Sequence, residues 1–234
     1  MERGRDLNHG FAHPFTYNEV LAMLKIFKIK TLLFTPLIKW VVLNPGVMKS
    51  NLFLKAMITF PSMVSKTYDK KIAGSGHDYH RALEQGLTRV FNKPQKILDL
   101  CTGTGIAAFK VAAAFPMSSI DAIDQIRGML DVAKKKAEES GITNINFEIG
   151  NAAKLKYSEN EFDFIVTSNA PIYLSEAARV LKSGGLFLAT YSFSGDAFLH
   201  LKYAVNQYLS NNGIDLVEME STGNGVYILG QKNK

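Results

Sequence analysis

The residues best placed to do chemistry are an acid and two glycines that follow one another within a few positions. Asp99 lies inside the apolar segment 96–100, and Gly103 and Gly105 come after it. The segment has the length and composition of a buried parallel strand, and the pattern over 106–114 predicts a helix. Glycines allow a tight turn and a close approach of backbone to a ligand, and a helix N-terminus presents free N–H groups. This order of strand, turn and helix predicts a nucleotide-type site.

The glycines by themselves fit two cofactors. Residues 103–108 match the loose G-x-G-x-x-G/A pattern of dinucleotide sites, and Asp124 follows Gly105 by 19 residues, near the spacing of a ribose-binding acid. A nicotinamide-dependent dehydrogenase therefore stays an alternative. Asp99 favours another ligand, because a carboxylate before the first glycine would face an anionic pyrophosphate but suits an ammonium group. S-adenosyl-L-methionine (SAM) carries an ammonium and a sulfonium and has no phosphate.

Strand-like and helix-like segments alternate along the rest of the chain. A helix is predicted to begin near Gln125 and another to cover 196–212, and the turn-rich 221–225 suits a hairpin. Further strands are predicted at 119–124, 145–149, 162–167, 186–190, 216–220 and 226–229. This alternation predicts an α/β fold with a doubly wound sheet.

Four motifs resemble those of class I SAM-dependent methyltransferases, and most of all the type 11 group that includes the ubiquinone and menaquinone methyltransferases. They are residues 98–105, Asp124 with Met129, residues 150–155 leading to Asp163, and residues 179–185. The resemblance covers residues 90–232. It implies a Rossmann-like, mostly parallel, seven-stranded sheet, with SAM as methyl donor and S-adenosylhomocysteine (SAH) as product.

The resemblance also implies roles for individual residues. Asp99 and the turn at Gly103 and Gly105 would hold the methionine end of SAM. Cys101 would pack beneath the cofactor, with a nucleophilic role as the alternative, and Asp124 would bind the ribose hydroxyls. The other cofactor-binding candidates frame the adenine or lie at strand ends: Gln125, Met129, Asn151, Ala152, Ser168 and Asn169.

The sequence departs from the family pattern at two places. Asn151 stands where an Asp is common; its amide oxygen can still accept a hydrogen bond from the adenine amino group, so we expect weaker or altered contacts. Only 15 residues lie between Asp163 and Arg179. The helix after the fourth strand is therefore expected to be short or missing.

Side chains that could act on the acceptor lie just before the predicted core. Tyr68, His77, Tyr79 and His80 are the catalytic candidates, since either histidine could serve as a general base. In the methyltransferases that the chain resembles, a Tyr-Asp pair like the one at Tyr68 often reaches the cofactor. Solvated linker residues are the alternative. The two histidines have the spacing of a metal pair on a helix, but no third ligand is evident, so no metal site is expected.

The N-terminal region differs in composition from the rest. Residues 1–95 hold 14 Lys and Arg against 6 Asp and Glu, a net +8, whereas residues 96–234 hold 13 against 15, a net −2. Residues 20–68 contain seven lysines and no acid or arginine among many apolar side chains. This composition suits a membrane interface, but a lid with snorkelling lysine stems or a partner surface also fits. No part of it is long enough to span a bilayer, and the lack of arginine disfavours nucleic acid.

The chain is thus divided into an apolar, basic helical extension (1–72), a linker with a first helix (73–89) and a SAM-binding core (90–234). We expect methyl transfer to a small apolar or lipid-like acceptor, such as a quinone precursor, by a cytoplasmic protein that contacts an anionic membrane surface. Transfer to a soluble metabolite and SAM binding without methyl transfer are the alternatives. A weak match of residues 168–173 to the Asn-Pro-Pro-Tyr motif of amino-group methyltransferases keeps an amine acceptor open. Cys101 is the only cysteine, so no internal disulfide is expected.

Overall fold

The computed structural model describes residues 79–192 and 195–234. The extension 1–72, which includes Tyr68, lies outside the described residues, and so does His77 of the linker. The first half of the described chain holds α1 (Arg81–Thr88), β1 (Lys96–Leu100), α2 (Ile106–Ala114), β2 (Ser119–Asp124), α3 (Arg127–Glu139) and β3 (Ile145–Ile149). The second half holds β4 (Phe162–Ser168), α4 (Leu174–Val180), β5 (Leu181–Tyr191), α5 (Gly195–Leu199), α6 (Lys202–Ser210), β6 (Ile214–Thr222) and β7 (Gly225–Lys232).

The strands form one seven-stranded sheet in the order β3-β2-β1-β4-β5-β7-β6. The first five strands of that order are parallel, and β7 runs antiparallel to both of its neighbours. This confirms the predicted α/β, mostly parallel, Rossmann-like sheet. The order reverses between β1 and β4, and in open α/β sheets ligands bind outside the carboxyl ends of the strands at such a point. The predicted cofactor-binding residues lie near that edge or in the loops that leave it, except Met129, which lies in the first turn of α3.

The helices α1, α2 and α3 cover one face of the sheet. Successive side chains of a strand point to opposite faces, so Ile97 of β1 and Phe164 of β4, which are in register, share this face with Ile120 of β2. All three are fully buried, with Leu83 and Val111 of α1 and α2 packed on them. Each such side chain contributes about 1.5–3 kcal/mol when removed from water. The strands that position the site are therefore held by a dense apolar layer beneath it.

The opposite edge of the sheet is fixed by one carboxylate. Asp163 Oδ2 accepts hydrogen bonds from the backbone N–H groups of Lys96 (2.8 Å) and Gln95 (3.1 Å), and Oδ1 accepts one from Lys182 Nζ (2.6 Å). Partial burial would raise the pKa of Asp163, but Lys182 and the two N–H groups hold it below its usual value. Asp163 therefore ties the beginning of β1 to β4 and β5, far from the carboxyl ends of the strands.

Most predicted elements are confirmed, with two corrections. The helix expected over 196–212 is two helices, because the chain turns at Leu201, whose N–H donates to the Phe198 carbonyl at 2.8 Å. This turn lets Phe198 stack on Tyr191 at 5.0 Å, while Tyr203 of α6 is exposed. The fifth strand begins at Leu181 rather than at residue 186, and its pairing with β4 shifts register there. The short helix expected after the fourth strand is confirmed as α4, of seven residues.

Among the described residues, no helix is long and apolar enough to cross a membrane.

Candidate functional site

A buried acid lies beneath the turn that follows β1. Asp99 is 0% exposed, and neither of its carboxylate oxygens has a hydrogen-bond partner among the described residues. Burial, reinforced by the nearby charge of Asp124, raises the pKa of Asp99 to about 7, against the opposing effect of the Thr102 hydroxyl and the Ala108 N–H, which lie near it. A buried charge without a partner is costly, so this carboxylate favours a cation at the site. The observation agrees with the sequence argument for an ammonium group and opposes an anionic pyrophosphate.

The turn itself uses the left-handed backbone conformation at every second residue. Cys101 (φ 58°), Gly103 (φ 57°) and Gly105 (φ 85°) all have positive φ. A Cβ on Gly103 would meet nothing within 4 Å, whereas one on Gly105 would come within 2.9 Å of the Phe109 ring. Gly103 thus leaves open space above the turn, and the lack of a side chain at Gly105 leaves room for the Phe109 ring of α2. The strain at Cys101 was not predicted, although its spacing of two residues from Gly103 was a usable signal.

The acid at the end of β2 is held by the same turn. Asp124 Oδ2 accepts a hydrogen bond from the Gly103 N–H (2.9 Å), and Oδ1 accepts one from the Ile126 N–H (2.9 Å). Burial raises the pKa of Asp124, against the effect of these N–H groups. Each carboxylate oxygen has a second lone pair, so Asp124 can accept hydrogen bonds from a diol while it stays bonded to the turn. The second N–H bond also explains why α3 begins at Arg127 rather than at Gln125.

The adenine candidates lie next to Asp124. Gln125 Nε2 donates to Asn151 Oδ1 at 3.2 Å, and the same oxygen accepts from the Ala153 N–H at 2.9 Å. The Asn151 amide oxygen, expected to accept from adenine, is therefore already engaged in its own loop. Ala152 and Met129 are both buried, at 2% exposed. Ile149, which the sequence reasoning did not select, is an apolar side chain 49% exposed at the end of β3.

The predicted residues at the end of β4 form a hydrogen-bonded group. Asn169 Nδ2 donates to Ser192 Oγ (2.9 Å), and Asn169 Oδ1 accepts from the Ser192 N–H (2.8 Å). Ser192 Oγ in turn donates to the Tyr79 carbonyl (2.6 Å), and Thr190 Oγ1 donates to Ser168 Oγ (3.0 Å). The Asn169 amide thus joins β4 to β5. Ser192, through its bond to Tyr79, anchors the place where the chain enters the described core, which brings the backbone of the catalytic candidates Tyr79 and His80 to this edge of the sheet.

Three tyrosines, which the sequence reasoning did not select, surround the loop after β4. The Tyr191 hydroxyl donates to the Ala170 carbonyl (3.1 Å), and the Tyr208 hydroxyl donates to the Ile172 carbonyl (3.5 Å). Both bonds fix the loop from β5 and α6. Tyr173, at the end of the same loop, is half-buried near Cys101, and burial raises the pKa of its hydroxyl to about 12. No residue in the described ranges hydrogen-bonds to that hydroxyl.

Other predicted chemistry finds less support in the geometry. Burial raises the pKa of the Cys101 thiol, which is the wrong direction for a nucleophilic thiolate. The described ranges contain no group of three or more acids, histidines or cysteines able to hold a metal. His80 lies directly before α1, where its carbonyl accepts from the Glu84 N–H at 2.9 Å.

Comparison with known proteins agrees with this geometry. The model of the methyltransferase domain family matches residues 91–231, more than half of the chain. A demethylmenaquinone methyltransferase from Bacillus velezensis is 29% identical over 157 residues, covering 60% of this chain and 67% of that protein. One from Lactococcus lactis is 35% identical over 134 residues, covering 52% of each chain. The chain thus spans about half of the second relative and about two thirds of the first.

Solved structures resemble the fold. The complex of the Haloferax volcanii Trm112 methyltransferase activator with a methyltransferase superposes with a TM-score of 0.63 at 14% identity, covering 75% of this chain and 98% of that one. Likeness at this identity concerns the fold alone. Together with the family match and the acid beneath the turn, it leads to one conclusion: the chain belongs to the methyltransferase domain family and is a SAM-dependent methyltransferase of class I.

Proposed function

We propose that this protein transfers the methyl group of SAM to a planar, quinone-like ring acceptor. The observation that carries the cofactor part is Asp99, a fully buried carboxylate with no hydrogen-bond partner among the described residues. The acceptor part is supported by the relatives named for demethylmenaquinone and by the tyrosines at the end of β4.

The residues of the cofactor side divide the work by charge. SAM, when bound, supplies an electrophilic methyl group on a sulfonium. Asp99 binds the ammonium group of the amino-acid end, and Asp124 accepts hydrogen bonds from the ribose hydroxyls. Ile149, Met129 and Ala152 bound the adenine with apolar surface. Catalysis then comes from holding methyl and nucleophile in line, which can lower a barrier by about 7–11 kcal/mol.

Tyr173 is the residue that faces the acceptor. Its loop is held through the Ala170 and Ile172 carbonyls, and Tyr173 lies near Cys101 with a hydroxyl to which none of the described residues hydrogen-bonds. With a pKa of about 12 the hydroxyl stays protonated at neutral pH and acts as a hydrogen-bond donor, not as a base. A phenolic oxygen of a reduced quinone is a suitable acceptor for that bond. The ring carbon next to that oxygen forms a bond to the methyl group as the bond between methyl and sulfur breaks, SAH leaves, and the proton of that carbon is released to water.

The acceptor proposal is tested with a defined ring. Methyl-labelled SAM is incubated with chemically reduced demethylmenaquinone in detergent, and label in the extracted quinone is counted. Tyr173→Phe should lower kcat about 5–10-fold, the loss of one hydrogen bond. Tyr203→Phe removes an exposed hydroxyl on α6 and is the matched control. Transfer to soluble amines or metabolites but not to the ring would refute the acceptor proposal, and equal rates for Tyr173→Phe and the control would refute the role of Tyr173.

The N-terminal extension is proposed to bring the protein to the membrane that holds such acceptors. The support is compositional: seven lysines and no acid over residues 20–68. Each lysine near an anionic leaflet contributes about 1 kcal/mol, and salt weakens this attraction. The full chain should therefore sediment with phosphatidylglycerol vesicles. The triple variant Lys25→Gln, Lys28→Gln and Lys30→Gln should bind these vesicles more weakly. The control is the triple variant Lys134→Gln, Lys154→Gln and Lys202→Gln, which removes three exposed lysines from the SAM-binding part of the chain. Equal binding by both variants, or no binding at low salt, would contradict the proposal.

A further inference from the structure

One ion pair in the structure holds two binding loops at once. Arg179 Nε and Nη2 donate to the two carboxylate oxygens of Glu176, each at 2.8 Å. Both residues lie on α4, three positions apart. A bidentate Arg–carboxylate pair fixes orientation as well as distance. Glu176 and Arg179 are also partly buried, with side chains 22% and 30% exposed, which separates them from ordinary surface pairs.

The pair is bonded to the loop that carries the adenine candidates. The Leu155 N–H donates to Glu176 Oε2 (2.7 Å), and the Leu155 carbonyl accepts from Arg179 Nη2 (3.1 Å). Arg179 Nη1 donates to the Tyr157 carbonyl (2.9 Å). The backbone N–H and the backbone carbonyl of Leu155 therefore both hydrogen-bond to the same ion pair. Leu155 follows Asn151 by four residues, and the Lys154 N–H bonds back to the Asn151 carbonyl (3.0 Å), so the loop is a short, connected unit.

The same helix carries the acceptor side. The Tyr173 carbonyl accepts a hydrogen bond from the Ala177 N–H at 3.0 Å, which makes Tyr173 the residue from which α4 begins. Glu176 follows three residues later, about one turn along the helix. Any shift of α4 relative to the Leu155 loop therefore changes the distance between the adenine residues and Tyr173.

We propose that Glu176 and Arg179 are positioning residues that make α4 a common support for the SAM-binding loop and the acceptor-binding loop. The inference rests on the proposed function and adds to it a pair that contacts neither ligand. A fork–fork pair cannot be replaced by a point charge. Arg179→Lys keeps the charge but loses the second parallel bond and the bonds to Leu155 and Tyr157. Loosening α4 in this way moves both the loop at Leu155 and the loop that leads to Tyr173.

The experiment measures SAM affinity by calorimetry and turnover of reduced demethylmenaquinone with the full chain. Arg179→Lys and Glu176→Gln should raise the Kd of SAM about 10-fold and lower kcat as well, because misplaced groups lose both binding and alignment. Lys135→Met breaks an exposed ion pair with Glu139 on α3 and should change neither quantity. Asp163→Asn is the control for stability alone, because it loosens the sheet at the far edge.

A double-mutant cycle separates positioning from general loosening. If α4 is a common support, Tyr173→Phe and Arg179→Lys should be non-additive in kcat/KM. Arg179→Lys that lowers the melting temperature as Asp163→Asn does, yet leaves Kd and kcat unchanged, would overturn the inference. Additive effects in the cycle would overturn it too. Failure of the unmodified chain to bind SAM would instead overturn the proposed function, so the two failures are distinguishable.

Discussion

Replacing Asp99 by asparagine should stabilise the SAM-free protein at high pH while it weakens SAM binding. The carboxyl is fully buried, and burial raises its pKa to about 7 from an unfolded value of 3.8. A folded-state pKa above the unfolded one means that the folded protein binds the proton more tightly. The stability from this group is therefore fully present below pH 3.8 and is lost as the pH rises to 7.

The magnitude follows from that window. At about 1.4 kcal/mol per pKa unit, ionised Asp99 costs the folded state about 4 kcal/mol above pH 7. Between pH 5 and pH 7 the cost grows over two pH units, or about 2–3 kcal/mol. The desolvation of a buried asparagine amide does not depend on pH and cancels when two pH values are compared. The free energy of unfolding of Asp99→Asn, relative to that of the unmodified protein, should thus be about 2–3 kcal/mol larger at pH 8 than at pH 5, which means a more stable variant at high pH.

Urea unfolding at both pH values measures this difference, and calorimetry measures SAM binding. The variant should lose at least ten-fold in SAM affinity, the worth of one charge-assisted hydrogen bond of about 1.5–3 kcal/mol. Asp131→Asn, on the exposed side of α3, is the matched control and should change neither quantity. A stability difference that is the same at pH 5 and pH 8, or SAM affinity that survives in Asp99→Asn, would refute the reasoning.

Three further outcomes follow from the same site. SAM affinity should rise about 20-fold between pH 5.5 and 7.5, since protonated Asp99 must first release its proton. Isothermal titration in two buffers of different ionisation enthalpy should detect that proton. An affinity independent of pH would be inconsistent with this role of Asp99. Cys101→Gly should change the free energy of unfolding by less than about 1 kcal/mol, because relief of left-handed strain is offset by entropy of the unfolded chain. Cys101→Val should lose more than that, and equal tolerance of both in urea unfolding would show that φ at this position is not restrictive. Asp163→Asn should lower stability by about 1–3 kcal/mol, because its one remaining acceptor oxygen cannot serve both Lys182 and the two backbone N–H groups. The urea midpoint measures this loss, and SAM affinity should be unchanged; a weakened affinity would mean that the two edges of the sheet are coupled.

Local pattern was sufficient to predict the central sheet. β1 is a short, mostly apolar run that is buried on both faces, and β2 alternates buried apolar residues with polar ones that are more exposed. Both patterns are typical of strands, so composition alone marks them. Asp99 could be interpreted from the sequence because its negative charge would repel the pyrophosphate of a dinucleotide but attracts the ammonium group of SAM. Asp124 was found in the same way, by its position at the end of a strand.

What the sequence did not reveal depends on contacts between distant residues. Tyr173, Tyr191 and Tyr208 lie on a loop, a strand and a helix, and only the fold brings them around the end of β4. Arg179 was visible as part of a family motif, but its bonds to Leu155 and Tyr157 span more than twenty positions. The break at Leu201 also reflects tertiary packing, because the stacking of Phe198 on Tyr191 overrides a continuous helical pattern.

The central claim is that the buried acid beneath the turn serves methyl transfer to a lipid-soluble ring. The most direct measurement incubates the full chain, and Asp99→Asn in parallel, with methyl-labelled SAM and a whole-cell extract, then partitions the label among organic, aqueous and protein fractions. The account predicts label in the organic phase in equal amount to the SAH formed, and none above background with Asp99→Asn. Label in the aqueous or protein fraction, or SAM binding with no label transferred, would contradict it.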